Sequence, residues 1–596
     1  MGLLQKACET YDANFALVGK VTDAQGTLCP IGHILQKAQI EISLDEQGHF
    51  IGAQDVSEEN CRTIIPATEK SASRTSGAEA HPLCDQLCYL SKEDKEKHAK
   101  YRSGLRDWAA STATHPDIHA VLSYVEGGTI LNDLIRVGLL EPKDGSISDC
   151  KIAGTPYKKC LVRWIIDGRR TWQNLQLMDA YIAYMRNSSD APTGLCMISG
   201  VEEALCGSHD KGIVAANNGA KLISSNDTSN FTYRGRFTEA SQACTISSEA
   251  SQKAHRALQW VASTQGDTIG GRTFVCWNPQ GKPVARPQRL FPVKKEATPT
   301  TPTAYREVLR ATLNGYRYEF PQGAGIVMAV FDAATTGRLS LTYYSEMEGS
   351  DFYNRVEAWY QSCCWPFGKY GIESPPLKQI AECVFGTERK GRIEADDKLL
   401  RETVQRLLAC MLNEAKIPED IVKQLFRNAS NPQRYQEKGN SIRLLCTACA
   451  VIRKHRNDFL QREEWSMALD ENKPDRSYQF GRLLAVMEAT ERATYGREED
   501  REPNAIRLQS VFNERPLHTA KVIDSQLTSY FARLKPGLRS YYKNIIGQIL
   551  AVIYATPESE WNRPLEDTYL MGYYLQRTAL YTKNDKSNTD AEENEQ

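Results

Sequence analysis

Apolar residues change their spacing along this chain, and the change divides it. Residues 38–44 alternate, with Ile40, Ile42 and Leu44 at every second position. A period of two marks a strand with one buried face. A second such run surrounds Phe50 and Ile51, with Glu46-Gln47-Gly48 between, so the pair reads as a β-hairpin. The first 60 residues read as strand-like runs joined by turns. Further strands are predicted at 161–166 and 273–278, and residues 325–347 read as two strands about a turn holding Gly337. Residues 194–200 read as a short buried strand leading into a helix. Spacings of three and four predict helices at 91–111, with Tyr101, Leu105 and Trp108 as the seam, and at 171–186. Arg169 and Arg170 fall on the turn before the second of these.

From about residue 375 the helical spacing takes over. It recurs in 399–412, 421–426 and 442–452, then in 478–491, 505–512, 517–534, 538–554 and 565–581. Pro503, Pro516, Pro536 and Pro564 punctuate the later segments, as helix starts and stops require. The fold class is therefore α+β: a mixed, strand-rich N-terminal domain followed by an all-α C-terminal helical bundle. The predicted divisions are an α/β domain at 1–348, a mostly helical connection at 349–466 and a helical bundle at 467–596. Residues 283–302 are rich in Pro, Lys and Thr and read as a linker. Residues 584–596 are acidic and poor in apolar side chains, and read as a disordered tail.

Charge sharpens this picture. Lys and Arg total 73 and Asp and Glu 74 in 596 residues, a formal net charge of -1. A uniformly basic nucleic-acid coat is excluded, so any such surface is local. The 17 cysteines are scattered. Cys84 and Cys88 lie near His81, but the only Cys-x-x-Cys, Cys446 to Cys449, sits in an apolar helical run. No zinc spacing results, and buried reduced thiols are expected. The start of the sequence lacks the charged head and apolar core of a signal peptide. No apolar run approaches the ~20 residues that span a bilayer. A cytoplasmic protein with no membrane partner is expected.

No set of residues resembles a catalytic site. Gly270-Gly271-Arg272 lacks the spacing of a phosphate loop. Asp332 is a lone carboxylate on a hairpin, where a turn-capping role is expected, and a two-metal site needs several. The expectation is no catalytic residue, no metal and no cofactor.

Three stretches carry candidate binding chemistry. Residues 230–236 read Asn-Phe-Thr-Tyr-Arg-Gly-Arg, two arginines about a glycine with an aromatic before them. Such guanidiniums fork onto phosphate oxygens, or they pair with Glu239 or Glu249 in a structural turn. Residues 247–266 read as a helix capped by Ser247 or Ser248, with a seam through Ala250, Ala254, Ala257, Leu258 and Val261. Lys253, His255 and Arg256 lie away from that seam, and Gly266 ends the helix. The stretch 63–78 places Lys70 and Arg74 among Ser71, Ser73, Thr75 and Ser76, with Glu69 its only acid. It reads as a flexible cationic loop, suited to a phosphate backbone or base edge, or as a plain surface loop. Arg443, Arg453, Lys454 and Arg456 give the helical part a basic face.

The strings NFTYRGRF (230–237) and SSEASQKAHRALQWVASTQG (247–266) together resemble the large subunit of the type I-C CRISPR surveillance complex, Cascade, of the Csd/Dvulg subtype. The Pro-x-x-Cys-Asp element from Pro82 to Asp85, the block from 325 through CCWPFG, and the ending GYYLQRTALYTKN resemble it too. The resemblance implies an antiviral subunit that binds target double-stranded DNA, recognises a short protospacer-adjacent motif (PAM), promotes duplex opening and stabilises the R-loop. Implied partners are crRNA, the displaced strand, the backbone and crRNA-processing subunits, a small subunit and the helicase-nuclease. Candidate DNA contacts are Lys70, Ser71, Ser73, Arg74, Thr75 and Ser76, then Asn230, Thr232, Tyr233, Arg234 and Arg236, with Lys253 and Arg272. The family makes its small subunit from an internal start in the same gene, and the sequence around Met467 resembles the region of that start. A DNA-processing enzyme of the same defence locus, or a protein-only scaffold, are the alternatives from other classes.

Overall fold

The computed structural model describes the chain except for residues 1, 22–25, 75–77, 143–145, 189, 225–243, 290–297, 319–322, 461–463, 497, 498, 500 and 594–596. The fold is α+β, with a strand-rich first part that also carries helices and a largely helical second part. It forms two compact units, one of Met1–Val284 with Gly325–Glu346, the other of Ala285–Ala324 with Met347–Gln596. The stretch 285–324, placed by its sequence position in the first domain, thus packs with the helical part. Its Pro302–Arg317 helix lies against the Gly349–Ser362 helix.

In the first unit, Ile40–Leu44 is the centre of a four-stranded sheet. It pairs antiparallel with Phe50–Asp55 and parallel with Val162–Ile166, and Arg169–Arg170 adds an edge. Ile40, Ile42 and Leu44 are fully buried, as their alternation demands. On the other face Glu41 lies beside Arg163, and their buried pair closes at 2.6 Å. The Arg163 guanidinium stacks 3.9 Å from the centroid of Trp172, so both faces of this strand pair are covered. The hairpin turns on Asp45, whose carboxylate accepts the Gln47 and His49 amides. Gly48 has φ +88°, and a Cβ there would lie 2.3 Å from the Ala120 carbonyl, so only glycine fits.

A second sheet runs Gly266–Ile269, Arg272–Trp277, Gly325–Thr335, Arg338–Glu348. Its apolar face packs under the Ser248–Gln265 helix and the Leu3–Ala13 helix. Ser247 caps the former by accepting the Ala250 amide at 3.2 Å. Gly266 follows it with φ −70°, an extended rather than left-handed residue, because the chain passes directly into a strand.

Several elements differ from the sequence reading. The first residues form a helix, Leu3–Ala13, rather than a strand. The stretch 63–78, read as a flexible loop, begins in the strand Arg62–Pro66 and contains the short helix Glu69–Ser73, and a second short helix, Leu87–Leu90, follows it. Arg169 and Arg170 are strand rather than turn. Near residue 194 only Cys196 is buried, while Leu195 and Met197 are exposed. His255 and Arg256 are buried, because this helix is covered on more than its alanine seam. Asp332 lies within the strand Gly325–Thr335 rather than at the turn, and pairs with Arg272 on the neighbouring strand.

In the second unit, the Arg476–Arg492 helix is buried on all sides from Ser477 to Glu491, not amphipathic. The Pro516–Arg533, Pro536–Tyr554 and Thr568–Glu593 helices surround it. Its contact with the last helix is glycine-mediated: a Cβ on Gly481 would meet the Tyr569 carbonyl at 1.9 Å, and one on Gly572 the Tyr478 carbonyl at 2.1 Å. Its charges are satisfied inside: Glu488 accepts from Tyr573 (2.5 Å) and Arg492 (2.7 Å), Arg482 donates to Gln576 (2.9 Å). The backbone of Thr568–Glu593 stays helical through most of the stretch read as a disordered tail, since elongating a formed helix needs no new nucleus.

Candidate nucleic-acid interface

The Glu69–Ser73 helix begins with a reciprocal cap: Thr68 Oγ1 accepts the Ser71 amide at 3.1 Å and Ser71 Oγ accepts the Thr68 amide at 2.9 Å. That cap sorts the side chains of the 70–74 stretch. Ser71 is buried, its hydroxyl 2.9 Å from His81 Nδ1. Arg74 turns inward, where Nη1 donates to Asp85 Oδ2 (2.8 Å) and the Glu79 carbonyl (2.6 Å), and Nη2 to Asp85 Oδ1 (2.5 Å). Its guanidinium lies 4.5 Å from the centroid of Tyr89. Ser71 and Arg74 therefore serve the fold. Lys70 is exposed, and Ser73 is left at the surface of the helix end.

Two lysines meet Ser73 there. Lys211 and Lys221 are antiparallel bridge partners at the base of a loop through Gly212 and Gly219. Lys221 Nζ donates to Ser208 Oγ (2.7 Å) and Ser73 Oγ (3.3 Å). Lys211 Nζ donates to the carbonyls of Ser73 (3.5 Å) and Arg74 (3.3 Å). Arg338, exposed, is bridged to Lys221 on the other side. The three cations thus stand on adjacent backbone segments, and no carboxylate closes on any of them within 4.0 Å among the described residues. Burial, with the Lys211 charge adding to it, holds the Lys221 ammonium below the usual lysine range, while Asp210 opposes the shift. Asp210 itself is ion-paired to buried Arg256 at 3.1 Å. Two half-buried ammoniums without a carboxylate of their own, beside two hydroxyls, have the chemistry an anion would require.

A histidine pair lies behind the site. His209 and His255 stack with centroids 5.9 Å apart, and His209 Nδ1 lies 2.8 Å from Ser251 Oγ. Burial, reinforced by His255 and Lys221, lowers His209 to about 4, so it is neutral at physiological pH.

The remaining predicted contacts are distributed differently. Lys253 pairs with Asp12 at 3.0 Å and Glu249 at 3.3 Å. Arg272 is buried and donates to Asp332 Oδ2 at 2.6 Å. Thr75, Ser76, Asn230, Thr232, Tyr233, Arg234 and Arg236 lie outside the described residues. The 225–243 segment leaves after Ser224 and returns at Cys244, and Ile223 and Cys244 pack in one small apolar cluster with Cys196 and Ile246. Of these, Ile223 follows Lys221 by two residues. The basic face read in the helical part is largely spent: Arg443 on Glu382, Lys454 on Asp458, Arg456 on Asp567 and Glu566, Arg453 on the Trp465 and Ser362 carbonyls.

Lys211, Lys221, Ser208 and Arg338 escaped the sequence reading. One signal was present, a lysine at each end of KGIVAANNGAK, a glycine-bracketed loop whose ends must meet. All described cysteines are free, and among the described residues no three His, Cys, Asp or Glu side chains cluster so as to hold a metal. Among the described residues no helix is long and apolar enough to cross a membrane.

A search of curated proteins finds no match. The family model described as CRISPR-associated protein (Cas_Csd1) matches residues 8–581, nearly the whole chain. The chain therefore belongs to the CRISPR-associated Csd1 family, the large-subunit family of the type I-C surveillance complex.

Proposed function

We propose that this Cascade large subunit grips target double-stranded DNA beside the PAM through Lys211, Lys221 and Ser73, with Lys70 and Arg338 at the margins. Tyr233, Arg234 and Arg236, outside the described residues, are further candidate contacts on their residue chemistry alone. The observation that carries this is the lysine pair: two ammoniums brought together on one bridge without a carboxylate of their own. Like charges so placed repel each other, and a phosphate backbone relieves the repulsion while releasing counterions.

On this proposal the subunit recognises the PAM, helps open the duplex, steadies the displaced strand and offers a face to the helicase-nuclease. It works in the cytoplasm with crRNA and the other Cascade subunits, and it cuts nothing itself. Guide pairing carries the long sequence match, so the protein needs only backbone grip and a short base-reading contact.

The test is K211Q/K221Q in the assembled complex. Target binding weakens, and the slope of log affinity against log salt falls by about one to two units. An unchanged slope in a correctly assembled complex removes this grip from the mechanism. Uniform loss on every PAM assigns the lysines to the backbone; loss confined to the correct PAM assigns them to reading. A purified chain that cleaves DNA or hydrolyses ATP would favour the enzyme alternative.

A further inference from the structure

The second unit carries a separate basic feature at the hairpin Thr387–Arg389 and Arg392–Glu394. We propose that this hairpin is a second contact for duplex DNA, made by Arg389, Lys390 and Arg392 on the phosphate backbone at the edge of a groove. The inference rests on the DNA-binding function proposed above, but on none of the residues of that site.

The hairpin has two faces of opposite character. Glu388 and Ile393 are cross-strand partners on one face. Ile393 is buried. Glu388 accepts the amides of Gln436 (2.6 Å) and Glu437 (3.2 Å) and the side chain of Asn440 (3.1 Å), at the entry to the Lys438–His455 helix. The Gly386 carbonyl accepts from Tyr435 and Arg434, and Asn440 also holds the Gly391 carbonyl at 3.2 Å. The hairpin is thus bolted down along its inner face and around its loop.

The other face carries the charge. Arg389 and Arg392 are directly opposite one another, and Lys390 forms the loop with Gly391. Both loop residues have positive φ, +48° and +74°. That is the two-residue turn matched to strand twist, but it holds a lysine where glycine or asparagine is usual. All three cations are exposed, and none has an ion-pair or hydrogen-bond partner for its side chain among the described residues. Like charges directly opposite on a ribbon oppose folding, so this arrangement answers to something other than the hairpin's own stability.

The chemistry selects the ligand. The tip from Arg389 to Arg392 offers only cations; Glu394 is exposed further along the same face, and no apolar or aromatic side chain is exposed from Thr387 to Glu394. A single-strand binder needs aromatic platforms for unstacked bases. A rigid two-stranded ribbon with paired guanidiniums fits instead the regularly spaced phosphates of a duplex, whose major groove admits such a ribbon. Guanidiniums also bind phosphate in a bidentate manner.

The test uses the full chain and a short PAM-bearing duplex, with R389Q/K390N/R392Q. Asparagine tolerates the left-handed backbone, and Glu388 and Ile393 keep the anchor. Duplex binding weakens and the salt slope falls by about two to three units, with the melting temperature unchanged. R389K/R392K, which keeps the charge, retains most of the slope. The inference is overturned if the triple variant binds duplex with unchanged affinity and slope, or if only single-stranded DNA or polyglutamate binding is lost. K211Q/K221Q run in parallel separates the two claims: binding lost there but kept in the hairpin variant sinks the hairpin alone, while binding unaffected by either sinks the DNA-grip proposal. Should the triple variant melt early, the charge-retaining variant and R389Q alone decide by the same slopes.

Discussion

Arg74 closes on Asp85 with both guanidinium amines, 2.5 and 2.8 Å from the two oxygens of a fully buried carboxylate. An arginine standing among serines in sequence is thereby an internal strut, tying the Glu69–Ser73 helix to the turn before Leu87–Leu90. Removing one member of such a pair strands the other charge without water.

Arg74→Ala should therefore act on stability. The expected loss is about 3–5 kcal/mol, the usual cost of orphaning one partner of a buried ion pair. Chemical denaturation measures it. K211Q/K221Q should cost far less, about 1 kcal/mol, since the two half-buried lysines lose ordinary hydrogen bonds but no ion pair. A stable R74A that loses DNA binding would reverse this assignment.

Acid should destabilise the first unit before its carboxylates titrate. Burial lowers both His33 and His81 to about 4, against 6.5 for the free side chain. Between pH 6.5 and 4 the unfolded chain binds more protons than the fold, so stability falls as pH falls through that window and is complete above it. By pH 5 each histidine accounts for about 2 kcal/mol. Denaturant midpoints at pH 7 and 5 test this. His81→Gln should show a shallower pH dependence than the parent; an identical dependence refutes the contribution of His81.

Two glycines in helices should respond in opposite directions. Gly481→Ala pushes a methyl onto the Tyr569 carbonyl at 1.9 Å and should cost about 1–3 kcal/mol or more. Gly104→Ala, in the Lys95–Ala109 helix with nothing within 4 Å of the new Cβ, should stabilise by about 0.5–1 kcal/mol. Thermal melts of both variants decide it, and equal shifts would mean the helix crossing at Gly481 yields readily.

Translation starting at Met467 is proposed to supply a small subunit. The helices after it share a core around Arg476–Arg492. A fragment of this kind would uncover faces that in the full chain are occupied: Tyr569 against Phe426 and Tyr574 against Trp365. Its basic side chains Arg533 and Lys543 lie over Tyr530 and Phe531. A C-terminally tagged native gene should yield a second, short tagged band, and Met467→Leu should abolish it alone. A short band that survives M467L, or none at all from the native gene, removes Met467 as the start.

What the sequence by itself determined was local. The alternation of Ile40, Ile42 and Leu44, the seam Tyr101–Leu105–Trp108, the cap at Ser247 and the proline-marked helix starts were legible because each depends on neighbours a few residues away. The family was legible too, from letters in fixed order. Whether a charge is available to a partner was not. Arg74, Arg272 and Arg256 look like free cations in the chain, yet each is spent on Asp85, Asp332 or Asp210. Lys211 and Lys221 are ten positions apart in an unremarkable loop, and only their bridge brings them beside Ser73 and Ser208. Arg389 and Arg392 come to face solvent side by side because Glu388 and Ile393 fasten the opposite face. The physical reason is common to all three cases: an ion pair or its absence is set by distance and desolvation, and chain order fixes neither until the strands and helices have packed.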